Sequence, residues 1–292
     1  MKHKLFFFFI LIPVVVFGQT FEGKVLDREL NTPIIYANIT FLKSDKGTYS
    51  DENGRFKIEV NTTDSLLISS LGYDNKIVRV SEFNLQTKNN IIKLEPRYEK
   101  LEEIVLTNKK IKYSGTKSFG DNKRGIRVKT SLPFGYEFAN FIQNPKRKKG
   151  VLKTVSIFIS KGKEYDYLSS YNIKFYSFDE FTKQPGSPLY FENFIVEPLN
   201  KTYELEIDVS DLNIEFPENG ICVGVEIVNT KYKTPLKSMA IMAPRINFTH
   251  TDYKIVSWGR YRNKSWKVNT RKSPFRRDFM NARINIRASI EK

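Results

Sequence analysis

Apolar and polar residues alternate with a period of two along most of this chain, and that period predicts strands with one buried face. Over residues 55–60 (RFKIEV), Phe56, Ile58 and Val60 alternate with Arg55, Lys57 and Glu59. In PIIYANITF, the residues Ile35, Ala37, Ile39 and Phe41 fall on one face. Between these runs, GTYSDENGRF places Asp51, Asn53 and Gly54 where a tight connection needs residues that tolerate positive φ and bond their own backbone, so a hairpin is predicted. Further strands are predicted at 65–69, 77–80 and 90–94, and beyond residue 126 at 151–160, 171–177, 203–209, 221–228, 239–243 and 282–290. The clearest is YELEIDV, where Tyr203, Leu205, Ile207 and Val209 alternate with Glu204, Glu206 and Asp208. Turn clusters such as KQPGSP and FPENG separate the strands, and no helical heptads or long repeats interrupt them. The pattern predicts an all-β protein made of two antiparallel β-sandwiches.

The first residues break the alternation. In MKHKLFFFFILIPVVVFGQ, Lys2 and Lys4 precede an unbroken apolar run from Leu5 to Phe17, and Gly18 comes next as a small residue. That is the anatomy of a secretory signal peptide, and the run is shorter than the roughly 20 residues a spanning helix needs. Cleavage is expected near Gly18 or Gln19, leaving a soluble exported chain with no transmembrane segment; the competing reading is an uncleaved N-terminal anchor. The expected organisation is a signal peptide over 1–19, a first sandwich over 20–106, a charged, turn-rich linker over 107–125 containing KKIKYSG and GDNKRG, part of which can still pair as an edge strand, and a second sandwich over 126–292.

Gly23, Pro33, Ala37, Gly47, Asp51, Asn53, Gly54, Phe56, Ser69, Gly72 and Tyr73 recur in the order G-x-V-x-D, P-I-x-x-A-N, S-D-E-N-G-x-F and S-x-x-G-Y. In this order and spacing the stretch resembles the carboxypeptidase regulatory-like domain of Bacteroidota. The resemblance implies a seven-stranded transthyretin-like (prealbumin-like) sandwich that usually serves as a non-catalytic accessory module, here a spacer or docking element. Beyond it LEEIVL, residues 101–106, resembles the segment that in many family members leads into the plug of an outer-membrane transporter. The chain after residue 106 is too short for a barrel of about 22 strands, so transport by this chain is not expected. The order VLKTVSIFI, YNIKFYSFD, QPGSPL, LEIDVSD, ENGICVGVE resembles the jelly-roll sandwiches of surface proteins from the same bacteria.

Composition narrows the chemistry. The 292 residues carry a formal charge of +16, which favours polyanionic partners through long-range attraction. For an exported chain the expected polyanions are anionic polysaccharides or other glycans, lipid phosphates such as those of lipopolysaccharide, or teichoic-type polymers, not nucleic acid. Cys222 is the one cysteine, so no intramolecular disulfide forms and core packing alone holds the fold. With His3 and His250 as the two histidines, neither a His/Cys metal cluster nor a Ser-His-Asp triad with a spare imidazole is assembled, and zinc carboxypeptidase chemistry is excluded. Glycine-rich phosphate loops are absent. Asp51, Glu52 and Asn53 read as turn residues ahead of calcium ligands. Glu164 with Asp166, and Asp179 with Glu180, are carboxylate pairs whose separation in space, which decides glycosidase chemistry, the sequence does not give. No catalytic, cofactor-binding or metal-binding residue is assigned.

Two basic clusters stand out. NPKRKKG, residues 144–150, places four consecutive cations between a proline and a glycine and reads as a solvated loop. The second interleaves aromatic rings and cations from Trp258 to Arg277, and its first part supplies the candidate ligand-binding residues Trp258, Arg260, Tyr261, Arg262, Lys264 and Trp266. A ring can stack on the apolar side of a sugar while Arg or Lys takes its anionic group. The other reading is that the tryptophans are core residues and the cations a solubilising surface. The expected function is a non-enzymatic binding or adaptor role in the cell envelope, in the periplasm or at the outer membrane or cell surface, with another envelope protein as partner. The alternative is an anionic glycan or lipopolysaccharide binding module, and a third reading is a carbohydrate-active or peptide-processing enzyme.

Overall fold

The computed structural model describes residues 19–97, 111–120, 127–130, 132–163, 167–228, 242–251, 256–269 and 279–292. The apolar N-terminal run and LEEIVL lie outside these residues. The fold is all-β: among the described residues the helical turns are two short 3₁₀ segments, Val80–Glu82 and Ser210–Leu212, and no helix is long and apolar enough to cross a membrane.

The first sandwich has seven strands: β1 (Gln19–Asp27), β2 (Asn38–Phe41), β3 (Gly47–Tyr49), β4 (Arg55–Val60), β5 (Ser65–Ser69), β6 (Lys76–Arg79) and β7 (Asn90–Leu94). One sheet has the order β4-β1-β7, with β7 parallel to β1; the other, antiparallel, has the order β3-β2-β5-β6. Between them lie Phe21, Val25, Ile39, Phe56, Leu66 and Ile92 among others. The period-two reading of β4 holds, with Phe56, Ile58 and Val60 buried and their neighbours exposed. The hairpin before it is held as predicted: the Asp51 carboxylate accepts the amides of Asn53 and Arg55, each at 2.8 Å, and Gly54 sits at φ +72°. A Cβ there would also lie 2.6 Å from the Val25 carbonyl oxygen. Ile35 departs from its predicted face and is 40% exposed, because Tyr36 turns the chain through a left-handed φ of +54° and β2 begins two residues later.

Two of the sequence motifs meet in space. Asp27 ends β1, and its carboxylate accepts the amides of Glu29 (2.7 Å) and Leu30 (2.8 Å) and the hydroxyl of Tyr73 (3.0 Å). These bonds, the Leu30 amide foremost, hold its carboxyl below the usual aspartate range.

The second sandwich is built on β8 (Tyr136–Ile142), β9 (Gly150–Ser160), β10 (Ser170–Asp179), β11 (Tyr203–Asp208), β12 (Ile221–Val228), β13 (Arg245–Thr251), β14 (Ser257–Tyr261) and β15 (Ile284–Ile290). Successive members alternate between two sheets. The front sheet runs β10-β12-β8-β14, and the back sheet pairs β9 with β11, β13 and β15. Phe138, Ile157, Ile173, Val223, Val225 and Ile286 are among the residues that fill the space between them.

Lys117–Gly120, inside the expected linker, pairs as an edge strand with β15 and places Phe119 against Phe216 in the second core, ring centroids 5.1 Å apart. Two features differ from the sequence reading. QPGSP, expected as a turn, forms an edge strand on β10 with a register shift, a position where proline costs no ladder bond. Of the eight strands named, β8, β13 and β14 were not predicted, because buried polar residues such as Glu137, Asn140 and Asn247 blur their alternation.

Candidate functional site at the junction of the sandwiches

The front sheet of the second sandwich is buried on both faces. Every residue of β12 (ICVGVEIV) is buried, which is why that strand reads as a nearly continuous apolar run. Ile221, Val223, Val225 and Ile227 face the core, and Cys222, Gly224 and Glu226 face outward. On that outer face the registers place Glu137 of β8 opposite both Glu226 of β12 and Arg260 of β14. Two carboxylates side by side repel, and the sheet resolves this with two cations. Lys174 Nζ lies 2.9 Å from Glu226 and 3.5 Å from Glu137, and Arg260 Nε lies 2.8 Å from Glu137. Tyr176 donates its hydroxyl to Glu137 at 2.6 Å and accepts Arg260 Nη2 at 2.9 Å. Glu137, Lys174 and Glu226 are each less than 5% exposed.

Gly224 makes this geometry possible. A Cβ at that position would sit 2.8 Å from Glu137 Oε1 and 3.0 Å from the Tyr176 ring, so a side chain there would push apart the Tyr176–Glu137 bond.

The first sandwich closes the cluster. Tyr49 at the end of β3 donates its hydroxyl to Glu226 Oε1 at 2.7 Å, and Asn38 of β2 donates its side-chain amide to the same oxygen at 3.1 Å. Desolvation pushes the Glu226 carboxyl up, but the Lys174 ammonium and the donors Lys174, Tyr49 and Asn38 outweigh it and hold the group below the ordinary glutamate range. Burial, reinforced by the neighbouring carboxylates, pushes the phenols of Tyr49 and Tyr176 well above their ordinary value.

All six candidate ligand residues lie at or beside this junction, and the structure brings them together through internal contacts. Trp258 is 4% exposed in a small outer-face core with Tyr176 and Cys222, bordered by Phe141, Phe178 and Trp266. The Arg260 guanidinium lies over the Trp266 ring at 4.0 Å. Tyr261 packs edge-on against Tyr136, ring centroids 5.0 Å apart. Arg262, 3% exposed, is held between the rings of Tyr49 (5.1 Å) and Phe134 (4.9 Å), with Nη1 3.5 Å from the Thr48 carbonyl. Lys264 reaches the first sandwich, where it meets Asp45 (2.7 Å) and the Ser44 carbonyl (2.9 Å). Between them Asn263 donates to the Ser69 hydroxyl at 3.0 Å. The segment 262–264 thus works as a strap between the sandwiches. Lys267 is exposed on a short strand beside β14, and Arg271, Lys272, Phe275, Arg276 and Arg277 of that basic run lie outside the described residues.

Of the carboxylate pairs, Glu164 and Asp166 also lie outside the described residues, and Asp179 is engaged by the amides of Phe181 (2.8 Å) and Thr182 (3.1 Å) in a turn. Among the described residues no group of three His, Cys, Asp or Glu converges as a metal site would require. The Cys222 thiol is buried and pushed up by desolvation. Beside the junction a cleft of about 390 Å³ opens, lined by Ile35, Gly72 and Tyr73 of the first sandwich and Phe191 and Glu192 of the second. Gly72, from the S-x-x-G-Y motif, touches the second sandwich there: at φ +80°, its Cβ position is 3.0 Å from the Phe191 carbonyl oxygen.

Sequence reasoning missed Asn38, Tyr49, Glu137, Lys174 and Glu226. On a strand with one apolar face, a lone charge reads as solvent-facing. The available signal was β12 itself, whose apolar outward positions Cys222 and Val228 flank Glu226 and mark both faces as buried.

Residues 21–106 match the family model of the CarboxypepD_reg-like domain. The first sandwich is therefore a carboxypeptidase regulatory-like domain, a non-catalytic module. No curated protein matches the chain.

Proposed function

We propose that this chain is an exported, non-enzymatic protein of the cell envelope, of the Bacteroidota type, that works as a binding or adaptor protein. In this reading the regulatory-like domain is a docking module clamped to a jelly-roll-like second sandwich, and the clamped pair presents its outer surface to another envelope protein. One observation carries it: the residues that would make a reactive or anion-binding centre are spent on the joint. Glu137 and Glu226 are each paired to a cation, and Tyr49 and Asn38 cover Glu226 from the other sandwich. A buried, hydrogen-bonded ion cluster of this kind favours one docking geometry over others more than it adds stability. The alternation of long strands between two sheets supports the jelly-roll-like reading of the second sandwich.

The test is crosslinking in the native envelope, then identification of captured chains. A single recurring protein partner, captured by the wild type and lost when Tyr49→Phe and Arg262→Ala loosen the joint, is the expected result. Turnover of a peptide or glycan by the purified chain, abolished by one carboxylate substitution, would overturn the reading in favour of an enzyme.

A further inference from the structure

We propose that one end of the second sandwich is a docking surface for an anionic lipid bilayer, with Phe181 as an apolar wedge and the Lys146–Lys149 loop as its phosphate-facing partner. β8 and β10 both run antiparallel to β12, so they are parallel to each other and end on the same side of the sandwich. The loop after β8 and the hairpin after β10 therefore leave that end about 10 Å apart, two strand spacings.

Both are built to hold their shape. After β10 the Asp179 carboxylate accepts the amides of Phe181 and Thr182, and Lys183 adopts a left-handed φ of +55° before the chain returns. The turn leaves Phe181 at its tip with 96% of its surface exposed, more than any other large apolar residue described. A phenyl ring held fully in water by a fixed turn has no role in the fold. After β8, Asn144 is 1% exposed and organises the basic loop from within. Its amide donates to the carbonyls of Lys148 (2.8 Å) and Pro217 (2.9 Å), and its oxygen accepts the Lys146 amide at 3.2 Å. Arg147 takes a left-handed φ of +49° at the tip. The turn containing Asn219 ties the two loops together, since its side chain donates to the Phe178 carbonyl at 3.2 Å and the same turn contributes Pro217.

The charges complete the surface. Lys146, Arg147 and Lys148 are exposed and make no ion pair among the described residues, whereas Lys149 is paired to Glu215 at 3.4 Å. Lys183 adds a cation beside Phe181. Against Lys146, Arg147, Lys148, Lys149 and Lys183 stand Asp179, Glu180, Glu215 and Glu218, so the attraction rests on the local run of three consecutive free cations and not on the net charge of the whole end. An aromatic ring that enters the headgroup boundary beside cations that meet lipid phosphate is a two-signal membrane contact. This surface lies apart from the junction, and its test does not depend on the adaptor reading.

The experiment is sedimentation of the chain, as recovered after export, with vesicles of phosphatidylglycerol in phosphatidylcholine and of phosphatidylcholine alone. Binding to the anionic vesicles is expected, weakened about tenfold by Phe181→Ala. The triple change Lys146→Ala, Arg147→Ala, Lys148→Ala is expected to weaken it by roughly fivefold per cation. Phe181→Trp adds a fluorophore at the tip, and its emission should shift to the blue with anionic vesicles. All four positions are solvent-exposed, so far-ultraviolet circular dichroism should be unchanged. Absence of binding to anionic vesicles, binding indifferent to Phe181→Ala, or a Phe181→Trp emission that does not move would each overturn the proposal. So would equal capture by soluble dextran sulfate with no dependence on Phe181, which would assign the loop to a polyanion in solution.

Discussion

Tyr49 of the regulatory-like domain donates its hydroxyl to Glu226 of the second sandwich at 2.7 Å, inside an ion cluster that water does not reach. The consequence is mutual dependence. Without Tyr49, Glu226 keeps Lys174 and Asn38 but loses its shortest bond, and a buried carboxylate left short of a donor is costly. Tyr49→Phe keeps the ring against Phe134 and Arg262 while removing the bond. The expected loss is about 1–3 kcal/mol, measured as a lower urea midpoint. A variant that unfolds at the wild-type midpoint would show that the two sandwiches are not coupled through this pair.

Lys174 is the cation both glutamates share. Replacing it by Met leaves Glu226 buried with no counter-charge, and breaking a buried pair from one side costs about 3–5 kcal/mol. Removing Lys174, Glu226 and Tyr49 together, as Lys174→Met with Glu226→Leu and Tyr49→Phe, is expected to recover most of that stability, because no buried charge is left without its partner and only the Asn38 amide loses an acceptor. The Glu137–Arg260 pair stays intact in this variant. Denaturation of the single and triple variants side by side checks the prediction; a triple variant as unstable as Lys174→Met alone would refute it.

The same cluster fixes the response to pH. Glu226 titrates below its ordinary value of 4.5 in the folded chain, so the unfolded chain takes up this proton first as pH falls. Its contribution is therefore complete above about pH 4.5 and is lost as pH drops through the lower folded value. Tyr49 and Tyr176 act at the other end. Their folded values lie well above 10, so the unfolded chain gives up these protons first, and stability declines as pH rises beyond 10. Urea midpoints across pH should show a plateau between these limits, with the acid shoulder reduced in Glu226→Gln and the alkaline one in Tyr49→Phe.

How far the sequence carried depends on where polar residues sit. The regulatory-like strands were legible because one face of each is polar and exposed, as with Arg55, Lys57 and Glu59 on β4. The two-sandwich, all-β class came from the same signal. The junction was not legible, because its chemistry consists of polar residues buried on strands that are apolar on both sides. Glu137 in YEFANF and Lys174 in YNIKFYS look like solvent-facing charges until another domain covers them. Trp258 is core, Arg260 and Arg262 are committed to partners inside the chain, and Lys264, partly solvated, is paired with Asp45 of the first sandwich. Alternation reports burial against one's own sheet; it is silent on what a neighbouring domain covers.

Arg260 and Lys264 give the sharpest contrast within that cluster. Both are basic, four residues apart, and a ligand-binding patch would use them alike. The structure gives them different work. Arg260 neutralises Glu137, whose side chain is 0% exposed, and lies over Trp266, so Arg260→Ala leaves a carboxylate buried beside Tyr176 with only the more distant Lys174 for charge. The expected cost is about 3–5 kcal/mol. Lys264 pairs with Asp45 at the surface, with side chains 35% and 58% exposed, and Lys264→Ala should cost about 0–1 kcal/mol. Thermal unfolding of the two variants decides it. A large loss for Arg260→Ala and a negligible one for Lys264→Ala identifies Arg260 as the buried counter-charge of Glu137 and Lys264 as a surface contact between the sandwiches. Equal, small losses would return both cations to the surface and reopen the case for an anionic ligand there.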